Sequence, residues 1–458
     1  MTRDEKSDFA KGDDIPGTDQ SSRSSQTQDQ PAGVLPEQQK DLEQQPPPTP
    51  GPPAIALPPN GGRVAWTQVL CGFCLFFNTF GILTSFGVFQ TYYESTSSPF
   101  RRATSDISWI GSLQVFLLQF SGIIVGPIFD KGYIRLLLGL GGFLIVFGHM
   151  MLSIASAYWQ ILLAQGFCVG IGMGCLFVPS ISLLPSYFST RLGLAIGLAS
   201  AGSSVGGVIY PVIMQQLVEK AGFPWAVRVL AFVSLVTLAV PFTLMRVRFK
   251  PAKARAMIDW TAFQDLPFLW FALATAIAFM GLTGYQILFA FYAKEQGITS
   301  TAFAFNLVSI YNAMSTVGRI VPNAISDKIG QFNVLAPAVL LTGAVYLCTM
   351  ATHTQGVMIG ITLLAGFFLG VLTAMPPVCL AVLTKDKSKI GTRIGTGFAI
   401  ISLGTLTGGP ASGAIVQRSH PLAWTAVWSF TGACMLVAGS MYAALRVARS
   451  GWKPLVKA

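Results

Sequence analysis

Apolar positions in this chain come in long runs, and the runs recur from about Val64 to Arg446. We read them at 64–93, 106–128, 134–155, 159–183, 192–217, 224–245, 267–292, 301–323, 332–352, 356–380, 394–416 and 422–445. A hydrocarbon layer about 30 Å thick needs roughly 20 apolar residues per crossing helix. Each run therefore predicts one transmembrane helix. The pattern predicts an all-α polytopic membrane protein with 12 transmembrane helices, arranged as two sets of six.

The polar positions divide the chain. Residues 1–63 hold ten of the 19 acidic residues and runs such as Pro46-Pro47-Pro48. Such a segment cannot bury enough apolar surface to fold, and it is too polar for a signal peptide. It reads as a disordered cytoplasmic tail. A six-helix half at 64–245, a cytoplasmic linker at 246–266, a second half at 267–446 and a cytoplasmic tail at 447–458 complete the expected organisation. With a cytoplasmic N-terminus, 24 of the 30 Lys and Arg residues fall on the cytoplasmic side. Basic loops stay inside, so both termini are expected there. The net charge of +11 is thereby a topology signal, and nucleic acid is not an expected partner. The expected compartment is the plasma membrane, although a vacuolar membrane would leave the same pattern.

Composition narrows the chemistry. Charged residues make up only 11% of the chain, and there are three histidines. No Walker glycine loop, Ser-His-acid set or metal-ligand cluster is present, so no enzyme, metal or cofactor is expected. All seven cysteines fall within apolar runs; Cys71 and Cys74 form a C-x-x-C without a second pair, which favours packing.

The two sets of runs carry matching motifs. Thr190-Arg191-Leu192-Gly193 is echoed by Thr392-Arg393-Ile394-Gly395, and Gly202, Gly206 and Gly207 by Gly404, Gly408 and Gly409. Asp130-Lys131 after the second run has its counterpart in Asp327-Lys328 after the eighth. Parallel repeats imply a pseudo-two-fold axis along the membrane normal, with substrate bound midway between halves. Small residues four apart let helices approach closely. Spans 5 and 11 are therefore expected at helix interfaces, either sliding during exchange or packing statically.

These features resemble the major facilitator superfamily, and within it the monocarboxylate-porter-like group common in fungi. The resemblance covers roughly residues 60–446. It rests on Gly126-Pro127-Ile128-Phe129-Asp130-Lys131-Gly132 with Arg135, on Tyr187-Phe188-Ser189-Thr190-Arg191 followed by Ala201 to Gly207, and on Gly318-Arg319 with Asp327 and Gly330. Asn60-Gly61-Gly62 with Ala65-Trp66 is similar to the group's entry motif, with Asn in place of its acidic first residue. The resemblance implies the major facilitator fold and alternating access. Asp130, Lys131, Arg135, Asp327 and Lys328 are then expected to gate the cytoplasmic face, the aspartates accepting bonds from helix N-termini or pairing with basic neighbours.

Arg319 is the basic residue placed deepest in a run, where a cation costs roughly 3 kcal/mol to insert. Its donor fork suits a carboxylate, and the resemblance implies that role. Snorkelling or pairing with Asp327 is the alternative. Ser315 replaces the acid that the family places one turn before this arginine, and Thr84 stands where well-studied members carry a lysine. The nine carboxylates beyond residue 63 lie at run ends or in loops, so lactate-type proton symport does not transfer cleanly. Protons remain a candidate coupling ion, and His149 can titrate near neutral pH.

Asn78, Gln286 and Asn312, with Gln90, Gln114, Gln119, Gln165 and Asn306, offer polar groups to a neutral or amphipathic substrate, or bond helices together. The expected function is secondary-active or facilitative transport of an organic acid or an amphipathic metabolite, with efflux at least as fitting as uptake. A non-transporting sensor on the same fold is the alternative.

Overall fold

The computed structural model describes residues 60–94, 104–248, 259–386, 389–416 and 423–451. Most of the expected tails, and residues 249–258 of the expected linker, lie outside the described residues. Regular structure is helical, with no strand among the described residues.

The first apolar run is discontinuous: α1 (Arg63–Asn78), α2 (Phe80–Thr84) and α3 (Phe86–Glu94) are separated at Thr79 and Ser85. Thr79 has φ −104° and ψ −89°, outside helical geometry. The second run holds α4 (Thr104–Phe120) and α5 (Gly122–Asp130), and the third is α6 (Ile134–Leu152). The fourth starts with α7 (Tyr158–Ile161), widens into a π-helical stretch at Leu162–Val169 and continues as α8 (Gly170–Ser182).

Runs five and six are joined in one helical element, α9 (Leu192–Leu244). Its 53 residues would extend about 80 Å if straight, far beyond one bilayer crossing. The backbone breaks at Gly222, where φ is +81°, a conformation open mainly to glycine. Then follow α10 (Leu266–Glu295), α11 (Thr301–Ile329), α12 (Gln331–Cys348), α13 (Gln355–Leu383), α14 (Ile390–Val416) and α15 (Trp424–Ser450). Among the described residues, ten helical stretches are long and apolar enough to cross a membrane, counting α9 once. α11 is long enough but falls outside that set because Asn306, Asn312, Ser315, Arg319 and Asn323 dilute its apolar face.

α1–α9 pack mainly on one another, and so do α10–α15. The glycine motifs explain several close helix contacts inside each bundle. A Cβ on Gly202 would overlap the Phe73 carbonyl, and one on Gly206 would lie 2.7 Å from the Phe77 carbonyl oxygen, so α9 rests backbone-to-backbone on α1. A Cβ on Gly404 or Gly408 would overlap the carbonyl of Ala276 or Met280, which seats α14 on α10 in the same way. These glycines thus hold helices within each bundle. Among the described residues, a Cβ on Gly409 would meet only Ile287, at 3.1 Å.

Contacts between the bundles use other glycines of the same helices. A Cβ on Gly193 would run into the Asn323 carbonyl and one on Gly197 into the Arg319 carbonyl, joining α9 to α11. Gly122 and Gly126 of α5 face Gly395 and Gly391 of α14 at comparable closeness.

Candidate functional site

One end of the bundle interface is closed by two matching carboxylate contacts. Asp327, at the end of α11, accepts hydrogen bonds from the backbone N–H groups of Gly193 (2.7 Å) and Leu194 (2.9 Å) in the first turn of α9. Asp130, at the end of α5, accepts them from Gly391 N–H (3.1 Å), Thr392 N–H (2.7 Å) and the Thr392 hydroxyl (2.6 Å) in the first turn of α14. First-turn N–H groups have no partner within their own helix and carry the positive end of its dipole, so a carboxylate is the natural acceptor. Each aspartate therefore joins one bundle to the other. Lys131, Arg135 and Lys328 are exposed and form no ion pair among the described residues.

From that end, which we call the Asp130 face, the contacts continue inward for roughly 20 Å of helix. Arg319 is 6% exposed. It donates from Nε to Ser315 Oγ (3.2 Å) and from Nη1 to the Ser200 carbonyl (3.2 Å), while Ser204 Oγ donates to Ser315 Oγ (3.3 Å). The guanidinium thus reaches across the bundle interface. It makes no ion pair with Asp327 or any other carboxylate among the described residues. Deeper still, a Cβ on Gly207 would lie 2.5 Å from Thr84 Oγ1 and 3.5 Å from Asn312 Oδ1, which brings those two side chains to one place. Thr405 Oγ1 donates to Gln119 Oε1 (3.0 Å) on the α14 side.

One expected cavity residue, Asn78, lies elsewhere. Asn78 is 0% exposed; its Nδ2 donates to the Cys74 carbonyl (2.8 Å) and Thr237 Oγ1 (2.7 Å), and its Oδ1 accepts from the Tyr210 hydroxyl (2.8 Å). The structure therefore ties it into the core of the first bundle. Gln286 is half-buried on α10 and is not among the hydrogen-bond partners of Arg319. His149 bonds through Nδ1 to the carbonyl of Ile145 one turn back (2.8 Å).

Sequence reasoning missed a charged cluster on the Asp130 face. Asp259 and Asp265 precede α10, while Lys389 and Arg393 open α14. Lys389 Nζ and Arg393 Nε reach Asp259 at 3.2 and 3.3 Å, and Arg393 Nη1 reaches Asp265 at 2.7 Å. Burial alone would raise the Asp259 carboxyl, but bonds from Thr261, Lys389 and Arg393 outweigh it and hold it below its usual 3.8. A lowered folded value means stability that is present above the unfolded pKa and is lost as pH falls through the folded one. Asp259→Asn should therefore lower the thermal midpoint at neutral pH. The gap from wild type should close only below about pH 4, as melting of the purified protein across pH would reveal.

A family model described as the Major Facilitator Superfamily matches residues 68–335 and 271–457. The chain belongs to the Major Facilitator Superfamily. It is 55% identical over 380 residues to the MFS-type transporter dbaD of Emericella nidulans, covering 83% of this chain and 85% of that one. It is also 35% identical over 384 residues to the aspyridones efflux protein apdF of the same organism, covering 83% and 77%. Among solved structures, the human organic anion transporter MFSD10 aligns with TM-score 0.65 and 14% identity over 83% of this chain and 98% of its own. The E. coli fucose:proton symporter FucP aligns with TM-score 0.60 and 16% identity over 83% and 98%. These likenesses make the chain a multi-pass integral membrane protein whose function is transport of small molecules rather than catalysis or sensing.

Proposed function

We propose that this protein is a monocarboxylate-porter-like carrier that exports an organic acid or an amphipathic secondary metabolite by alternating access. In this reading it has twelve spans, with α9 divided at Gly222 and α11 counted. The six-helix halves are 64–245 and 267–446, and both termini are cytoplasmic at the plasma membrane. The observation that carries it is the matched pair of carboxylate contacts: the Asp130 face is held shut by bonds that each tie one bundle to the other. Opening that face means breaking both, and the repeat makes the two steps equivalent.

Arg319 supports an anionic substrate group. It is a buried cation whose bonds go to a hydroxyl and a carbonyl, so a substrate carboxylate would supply the missing counter-charge. Its partner Ser200 lies across the interface, so the guanidinium is released as the Asp130 face opens. Exposure toward the cytoplasm suits loading for export, and the relative described as an efflux protein favours the same direction.

The test is untargeted metabolite exchange in cells lacking the protein, against cells carrying wild type or Arg319→Ala at matched surface expression. Deletion should trap an anionic metabolite inside the cell. Wild type should restore its release, and Arg319→Ala should reduce that release roughly tenfold or more. Full release by Arg319→Ala would remove the anion-binding assignment.

A further inference from the structure

Gln114, midway along α4, is 0% exposed, and neither Oε1 nor Nε2 has a hydrogen-bond partner among the described residues. Other glutamines of the first bundle are matched: Gln119 Oε1 accepts from Thr405, and Gln165 Oε1 accepts from the Tyr93 hydroxyl at 2.6 Å. A carboxamide with both ends buried and unpaired is destabilising, and a bound group of complementary polarity would offset that cost.

Its surroundings are irregular in a way that helix packing alone does not require. A Cβ on Gly170 would lie 3.3 Å from the Gln114 Cα, so Gln114 sits directly against the residue that ends the π-helical stretch Leu162–Val169. One turn back, Gly111 packs on the ring of Phe86, the first residue after the second break in the opening span. An orphan carboxamide, a π-bulge and a broken helix thus meet at one level near mid-depth. Both kinds of helix irregularity concentrate at binding sites. Toward the Asp130 face, Phe80 edges onto Phe177 at 5.4 Å, and Phe177 edges onto Phe398 of the other bundle at 4.7 Å.

We propose that Gln114 is a substrate-recognition residue that grips a neutral donor–acceptor edge, such as a lactam or a hydroxy-carbonyl, on an aromatic metabolite. Along one edge a carboxamide presents an N–H donor beside its carbonyl acceptor, and a ligand edge with the complementary pair satisfies both at once. The aromatic partition supplies the apolar wall for the ring system. This rests on the carrier reading above and adds a second, uncharged recognition point to Arg319.

The experiment is saturable binding of 2-quinolone, which carries an N–H beside a carbonyl, to purified full-length protein. N-methyl-2-quinolone, which lacks the donor, and 1-naphthoate, an anion, serve as comparators. Wild type should bind 2-quinolone more tightly than its N-methyl analogue, by roughly tenfold or more. Gln114→Leu should lose that preference while keeping 1-naphthoate binding and a monodisperse, folded profile. Equal binding of 2-quinolone by wild type and Gln114→Leu would overturn the proposal, above all if the variant melts higher. No saturable 2-quinolone binding to wild type would also overturn it, and metabolite release that depends on Arg319 would show the carrier reading standing without it. Selective loss in Gln114→Leu with no metabolite released in cells would leave the site standing and refute the carrier reading.

Discussion

Replacing Asp130 and Asp327 together by asparagine should cut transport by roughly tenfold or more while leaving the protein folded. Each carboxylate accepts two backbone N–H bonds from a helix N-terminus. Asparagine keeps the shape but turns one acceptor oxygen into a donor that faces those N–H groups. Loss of a charged acceptor costs about 2 kcal/mol per site, or about 4 kcal/mol for the pair. Moving a two-state equilibrium from 99:1 to 1:99 takes about 5.5 kcal/mol, so the double change should depopulate the state closed at the Asp130 face. The single variants should each give a partial effect of similar size, because the contacts repeat. A cysteine at Asn323, which is fully buried at this interface, should become reactive toward a water-soluble maleimide in the double variant, as peptide mass spectrometry would register. Undiminished transport and an unreactive position 323 would contradict the gating role.

Gly395→Val should impair transport by a different route. A Cβ at Gly395 would occupy the space of the Gly122 carbonyl in the other bundle. The bundles could then not close on the Asp130 face, although each would retain its own packing. Gly413→Val, on the same helix with nothing among the described residues within 4 Å of its Cβ position, provides the control for helix propensity. We expect Gly395→Val to lose transport by roughly tenfold or more at normal surface abundance, and Gly413→Val to stay near wild type. Equal activity of the two would show that this approach is not needed for turnover.

The fold was legible because bilayer thickness sets the length of an apolar run, and run length survives any ambiguity about facing. Span ends agree with helix ends to within a few residues through most of the chain, and Gly222 breaks α9 where a connection between runs was expected. The breaks at Thr79 and Ser85 and the π-helical stretch left no such trace, because they alter backbone geometry without altering hydropathy. The aspartates facing helix N-termini were legible for an electrostatic reason: an acid at a helix end seeks free N–H groups, and a repeat predicts it twice. Side-chain partners across helices were not. Whether Asn78 faces a cavity or Tyr210, and whether α9 meets α11 through Gly197 or Gly202, depends on helix rotation within a bundle. An apolar run seen alone does not encode that rotation. The Asp259 cluster was hidden likewise, since its acids and bases lie far apart along the chain and meet only after α10 and α14 pack.

The most direct test of the central claim is the distance between spin labels at Lys131→Cys and Lys385→Cys, exposed positions on the two bundles near the Asp130 face. It would be measured in lipid nanodiscs on a Cys348→Ser background. Alternating access held by the carboxylate pair predicts a short-distance population in the otherwise wild-type protein, and its displacement to longer distances by Asp130→Asn with Asp327→Asn. A single distance distribution, unchanged by that double substitution, would contradict it.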